Sequence, residues 1–196
     1  MLLSAGCALM QPAASRVLLE YPESEAPPTY QPGLRYLPIA QGAALTWVAL
    51  AEQKPVKGTP QPVSIWYGQS GRLLRTHGGK LVEIAGYGPE SLRLADNCPY
   101  LSSLKRFRVN DCVRTYMTPR PGVYMARVRV RQLAPESVIY RLGGQDFSGK
   151  IVREQLSASG RPGNFYLFDA EGNYVMSRQW LDDTQSFDLF AAEQAQ

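Results

Sequence analysis

The stretch Ser64 to Gly86 reads as strand, turn, strand, turn, strand. Ile65, Trp66 and Tyr67 gather β-branched and aromatic side chains, which pack well on a pleated surface. Gln69-Ser70-Gly71 marks a turn, Arg72 to Thr76 a second strand, His77-Gly78-Gly79 another turn, and Leu81 to Ala85 a third strand. Turns this short join only antiparallel neighbours, because a parallel crossover needs a dozen residues or more. The segment therefore commits the chain to an antiparallel sheet.

The same punctuation recurs along the chain. Leu45 to Leu50 reads as a buried strand, and Lys54 to Pro62, with three prolines, as a loop. Further strands are expected at Phe107–Met117, Val123–Leu133, Val138–Leu142, Phe147–Leu156, Phe165–Phe168 and Tyr174–Leu181. Pro89–Leu94 suits a short helical turn, and Thr184–Ala192 either a short helix or a strand with a loose tail. The 17 glycines, 15 prolines and 20 aromatic residues fit an all-β protein built as a meandering antiparallel sheet. No long amphipathic helical period is present.

Three regions follow. Residues 1–7 read as the remnant of a lipoprotein signal ending at Cys7. Residues 8–41 read as a tether or arm, because Pro12, Pro22, Pro27, Pro28 and Pro32 alternate with Glu20, Glu23 and Glu25. Arg16 to Leu19 can form a short helix or an early strand inside it, and the second half of the arm can equally pack on the domain. Residues 42–196 read as one β domain.

Cys7 follows Leu3-Ser4-Ala5-Gly6, small residues that resemble a bacterial lipobox. Two departures stand out: Ser4 occupies the usual Leu position, and only six residues precede Cys7, with no basic segment. A full secretory signal takes roughly 15–30 residues, so the reading is of a shortened precursor. With Cys7 set aside, Cys98 and Cys112 remain as a pair that can oxidise in a periplasmic compartment. No stretch approaches the ~20 apolar residues that span a bilayer, so attachment must come from lipid.

Two stretches resemble the YjbF/GfcB family, the group 4 capsule and exopolysaccharide lipoproteins of Gram-negative bacteria. Gly79-Lys80-Leu81-Val82-Glu83-Ile84-Ala85-Gly86 matches its "G-[RK]-[LV]-V-x-x-x-G" strand. Asn164-Phe165-Tyr166-Leu167-Phe168-Asp169, then Gly172, then Val175 to Gln179, is similar to its closing hairpin. The resemblance runs from about Gly42 to Leu181. It implies a sheet curled into a half-barrel and lipid anchorage at the periplasmic face of the outer membrane. It also implies work in a multi-protein polysaccharide export complex, beside an outer-membrane β-barrel and a periplasmic partner. It supplies no reaction.

The net charge of +4 is unevenly spread. Asn97 to Arg161 holds twelve Lys or Arg against four Asp or Glu, and Pro162 to Gln196 one against six. Arg127-Val128-Arg129-Val130-Arg131 alternates at period two, so on a strand the three Arg share one face. Arg106, Arg108 and Arg114 on neighbouring strands would extend a basic face. Such a face suits an anionic polysaccharide or acidic partner, because the guanidinium fork binds carboxylates bidentately. It equally suits a solvated face paired with Glu136 or Glu154. The acidic C-terminal segment and the lipobox argue against nucleic acid.

Trp66, Tyr67 and Trp180 are candidates to stack on sugar rings, while Trp47 reads as core. His77 is the single histidine, so no His-rich metal site can be built, and no Gly-x-Ser-x-Gly elbow accompanies it. No cofactor motif is present. Asp182 or Asp183 with Asp169 or Glu171 would be the carboxylates of a glycan hydrolase, whose spacing the sequence leaves open. The leading expectation is a non-enzymatic polysaccharide-export lipoprotein. The alternatives are a glycan-modifying hydrolase and a passive anionic-polysaccharide-binding module.

Overall fold

Residues that favour a pleated surface form one here. The computed structural model describes residues 15–18, 31–42, 44–87, 92–96, 98, 110–117, 125–142, 144–156, 163–180 and 185–194. Apart from a 3-10 turn at Gln69–Gly71, every regular element among them is a strand. In chain order these are β1 (Ser15–Leu18), β2 (Arg35–Gln41), β3 (Ala44–Lys54), β4 (Val63–Tyr67), β5 (Leu73–His77), β6 (Lys80–Ala85), β7 (Leu92–Asp96) and β8 (Asn110–Met117). They continue as β9 (Met125–Gln132), β10 (Glu136–Leu142), β11 (Gln145–Leu156), β12 (Phe165–Asp169), β13 (Tyr174–Trp180), β14 (Ser186–Phe190) and β15 (Glu193–Gln194).

All belong to one sheet, and all pairings are antiparallel except that of β1 with β10. Strands β2 to β9 follow one another as a meander, and β11 to β14 form a second meander that joins the first where β14 pairs with β2. The sheet curls, as the family resemblance implies, far enough that its two ends meet. The first half of β11 takes β10 (Glu136↔Ile151), and its last residues take β9 (Glu154↔Gln132, Leu156↔Val130). The hydrogen-bonded ring thus closes on β11, while β10 and β1 branch from it.

Register defines the inner face. Val152 opposes Tyr166, Tyr166 opposes Ser177, Ser177 opposes Leu189, and Leu189 opposes Ile39. Trp66 opposes Leu74, which opposes Ile84. Because paired residues share a face, these side chains all point into the curl. Leu37, Ile39, Val48, Trp66, Leu74, Ile84, Phe187 and Leu189 pack there as the main core. The opposite face is also buried along part of the sheet: Ile151, Leu167, Met176 and Phe190 join Val138 and Tyr140 in a second cluster. Gly149 is required at that site, since a Cβ there would lie 2.9 Å from the Tyr140 ring and run into the Phe168 carbonyl oxygen.

Two expectations change, and two open alternatives resolve. Arg35–Gln41, assigned to the arm, is a core strand: five consecutive residues, Tyr36 to Ala40, are buried. Pro38 misled the reading. It falls between the part of β2 paired with β14 (Ile39, Ala40) and the part paired with β15 (Arg35, Tyr36), where that edge makes no ladder demand. Leu92–Leu94, expected as helical, lies in β7, because ladders to β6 and β8 outweigh weak local propensity. Ser186–Phe190 takes the strand alternative, and so does Ser15–Leu18 in the arm.

Cys98 and Cys112 form a disulfide that ties the segment after β7 to β8. Both are buried against Val130 and Leu156, next to the ring closure. The closed loop of about 15 residues is worth roughly 3 kcal/mol by chain entropy. Reduction, or joint replacement by Ala, should lower the unfolding free energy by that order. Thiol labelling of the denatured, unreduced chain should find no free thiol at Cys98 or Cys112, and two reactive thiols besides Cys7 would refute the pairing.

Candidate functional site

At one end of the curl the inner face opens into a cavity of about 460 Å³. Its floor is apolar and aromatic: Trp66, Tyr166, Phe168 and Leu189 are buried. Its rim is polar, with Arg35, Gln53 and Asn173 exposed and Gln61 half-buried. Two turns frame it, Gly78-Gly79 between β5 and β6 and Gly172-Asn173 between β12 and β13. Gly79 has φ of +81° and Gly172 of +90°, where a side chain would be strained.

The walls are held rigid by hydrogen bonds. The Trp66 indole donates to Thr76 Oγ1 at 2.9 Å, and Gln53 Nε2 to Ser64 Oγ at 3.1 Å. Tyr174 donates to the Leu189 carbonyl at 2.8 Å and lies 2.8 Å from Ser177 Oγ. Burial pushes the Tyr174 hydroxyl well above the usual phenol range, so it stays protonated. Asp169 anchors the β12–β13 turn by accepting from the Asn173 N–H and side-chain amide. Burial works to raise its carboxyl, but those bonds and the Gly172 and Glu171 N–H groups hold it below the usual range. After these bonds, Gln53 Oε1 and the Gln61 side-chain amide remain available to the cavity. The lining residues described include no carboxylate.

Gln179 crosses the interior from β13 to the β5–β6 turn. Its Oε1 accepts from Leu81 N–H at 2.8 Å, and its Nε2 donates to Gly79 C=O at 2.9 Å and Ser177 Oγ at 2.8 Å. Between Gly79 and Leu81 sits Lys80, buried, with Nζ 3.8 Å from Glu154 Oε1. Arg114 Nη2 lies 2.9 Å from the other Glu154 oxygen and 3.1 Å from Oε1. Tyr166 OH reaches Glu154 Oε1 at 3.5 Å. Glu154 thus links β6, β8 and β12 at the strand that closes the ring.

The sequence-picked residues separate. Arg127, Arg129 and Arg131 all point outward, with Val128 and Val130 buried between them. Arg131 meets Asp111 across the β8–β9 pair at 3.1 Å, both exposed. Arg129 and Arg131 also flank a recess of about 500 Å³ beside the disulfide, with Asp111 and Gln155. Arg114 does not extend this face: it shares inward parity with Cys112 and Tyr116 and is buried on Glu154. Glu154 is therefore spent inside, while Glu136 meets Arg153 at 3.8 Å. Trp66 lies in the cavity floor, adjacent Tyr67 faces solvent at 51% exposure, and half-buried Trp180 donates its N–H to Asn164 Oδ1 at 2.8 Å. His77 is buried at the end of β5, 2.9 Å from the Gln61 carbonyl. Cys7, Arg106, Arg108, Asp182 and Asp183 lie outside the described residues. Tyr166 stands in the hairpin motif but was not picked as a lining residue, and Tyr174, Gln53, Gln61 and Asn173 went unnoticed, since they come from separate strands and turns.

No family model and no curated protein matches the chain. Among solved structures it is similar to the hypothetical lipoprotein YmcC from Escherichia coli (K12), at a TM-score of 0.58 and 14% identity. The match covers 85% of this chain and 90% of that one. The two share a fold.

Replacing Glu154 by Leu removes the carboxylate that Arg114 and Lys80 share in the interior. Removing one partner of a buried pair costs about 3–5 kcal/mol, and urea denaturation should show a loss of that order. A loss below about 1 kcal/mol would mean that the cluster does not brace the ring.

Proposed function

We propose that the chain is a non-enzymatic lipoprotein of the YjbF/GfcB type. It is anchored through Cys7 at the periplasmic face of the outer membrane. There it assists export or assembly of a capsular or secreted polysaccharide, in a complex with an outer-membrane β-barrel and periplasmic proteins. The observation that carries this reading is the fold, shared with a protein described as a lipoprotein, together with the lipobox-like context of Cys7. The Cys98–Cys112 disulfide agrees with an oxidising compartment.

The chemistry of the walls supports a binding role over a hydrolytic one. Glycosidases flank the scissile bond with two carboxyl groups, one of them raised to act as acid. Asp169, at the cavity's turn, is shifted downward instead. His77 Nε2 lies 2.9 Å from the Gln61 backbone carbonyl. The outward Arg row offers an acidic partner or polymer three cations about 6.5–7 Å apart.

Cys7→Ser should abolish incorporation of labelled palmitate and release the protein into the soluble periplasm. Unchanged outer-membrane fractionation of that variant would overturn the anchor. Joint replacement of Arg127, Arg129 and Arg131 by Gln should leave stability within about 1 kcal/mol, as exposed charges contribute little, yet reduce polysaccharide export. Full export by the triple variant would remove the Arg row from the reading. Loss of export on changing Asp182 or Asp183 alone, with folding intact, would favour the hydrolase.

A further inference from the structure

We infer that the cavity between the β5–β6 and β12–β13 turns is a binding site for a single pyranose unit of a glycan. The ligand class is read from the walls. The inference deepens the proposed function, and rests on it only for the site's role in the cell.

Sugar rings carry apolar C–H faces and hydroxyl edges. They are bound where aromatic surface meets fixed, uncharged hydrogen-bonding groups. The cavity has that division. Half-buried Tyr174 presents ring surface above the buried Trp66 and Tyr166 of the floor, and Gln53, Gln61 and Asn173 place amides at the mouth. The volume of about 460 Å³ lies in the range of small-ligand sites. It suits a sugar unit rather than a folded chain segment.

The site is also preorganised. The Trp66–Thr76, Gln53–Ser64 and Tyr174–Leu189 bonds fix the wall before any ligand arrives, which lowers the ordering cost of binding. Gln53 Oε1 and the Gln61 amide are left over, as an acceptor and an acceptor–donor pair. An acyl chain fits worse. It would leave Gln53 Oε1 and the Gln61 amide facing hydrocarbon without partners, at a cost for each polar group. A multiply charged ligand fits worse too, because Arg35 is the single charged side chain among the lining residues described.

The site is separate from the Arg row. Arg127, Arg129 and Arg131 lie on the outer face of β9, whereas the cavity is lined from β2, β3, β4, β5, β12, β13 and β14 and their turns. The two surfaces can therefore be altered independently.

The test uses the full chain with Cys7→Ser, and saturation-transfer NMR with the methyl glycosides of glucose, galactose, mannose, N-acetylglucosamine and glucuronic acid. At least one should receive saturation at its ring protons. The signal should weaken about tenfold in Gln53→Ala/Gln61→Ala, the loss of two hydrogen bonds of about 0.5–1.5 kcal/mol each. Gln53 is exposed and Gln61 half-buried, so the double variant should lose only the Gln53–Ser64 bond and still unfold in one cooperative urea transition. The triple Arg→Gln variant should bind as the wild type does. Absence of saturation transfer for all five glycosides overturns the inference. So does unchanged binding in the double variant, or displacement of the glycoside by decanoate. Export in cells separates this from the proposed function. If deletion of the gene stops export but the non-binding double variant restores it fully, the cavity inference falls alone. If deletion leaves export intact, the export reading falls and the binding result stands by itself.

Discussion

The carboxylate of Glu154 sits where the sheet closes on itself. Its backbone pairs with Gln132 of β9 on one side, and its N–H donates to the Asn164 carbonyl on the other at 2.8 Å. Its side chain meets Arg114, Lys80 and Tyr166. Among the described residues three pairs join β11 to β9, a short ladder to define register there. A one-residue slip would turn Glu154 outward, away from Arg114 and Lys80. The ion cluster is costly to desolvate, and an apolar replacement of all its members could be as stable. Its contribution is to make one closure far better than its neighbours in register.

That constraint shapes the rest of the interior. The side of the curl formed by β2 to β6 and β14 fills with Leu, Ile, Val and aromatic side chains. The side near β8, β9, β11 and β12 is polar, with Arg114, Gln132, Glu154 and Asn164 all buried. Gln179 joins the halves by clasping the backbone on either side of Lys80. Fixing the β5–β6 turn fixes one lip of the cavity, because Gly78 and Gly79 line it. The Asp169–Asn173 clasp fixes the facing lip. The mouth is thus held by the same bonds that hold the fold.

How much of this the sequence disclosed depended on range. The period-two alternation of Arg127 to Arg131 and the turns around Gly71 and Gly79 are local, and their consequences were legible. The cysteine pair followed from counting. The arm boundary failed at Pro38, because a proline between two short partners looks, in sequence, like a proline in a tether. Arg114 failed for a different reason. Its charge pointed outward, but parity with Cys112 and Tyr116 sends it inward to a carboxylate forty residues away. The cavity had no local signature, since its amides and rings come from positions that only register brings together.

The family-like motifs gain a physical meaning from this arrangement. Gly79-Lys80-Leu81 is the segment that Gln179 clasps and from which Lys80 reaches Glu154. Asn164-Phe165-Tyr166 supplies the carbonyl that receives the Glu154 N–H, the side-chain acceptor for Trp180 N–H, and the ring of the cavity floor. Ser177 and Gln179 of the second motif complete the clasp. The two stretches are far apart in sequence but act as one device, turn against hairpin, across the interior. Residues chosen to hold that device need not contact a ligand. The Arg row and the Gln61 amide lie outside this device, and there specificity for a particular polymer or partner can vary without cost to the ring.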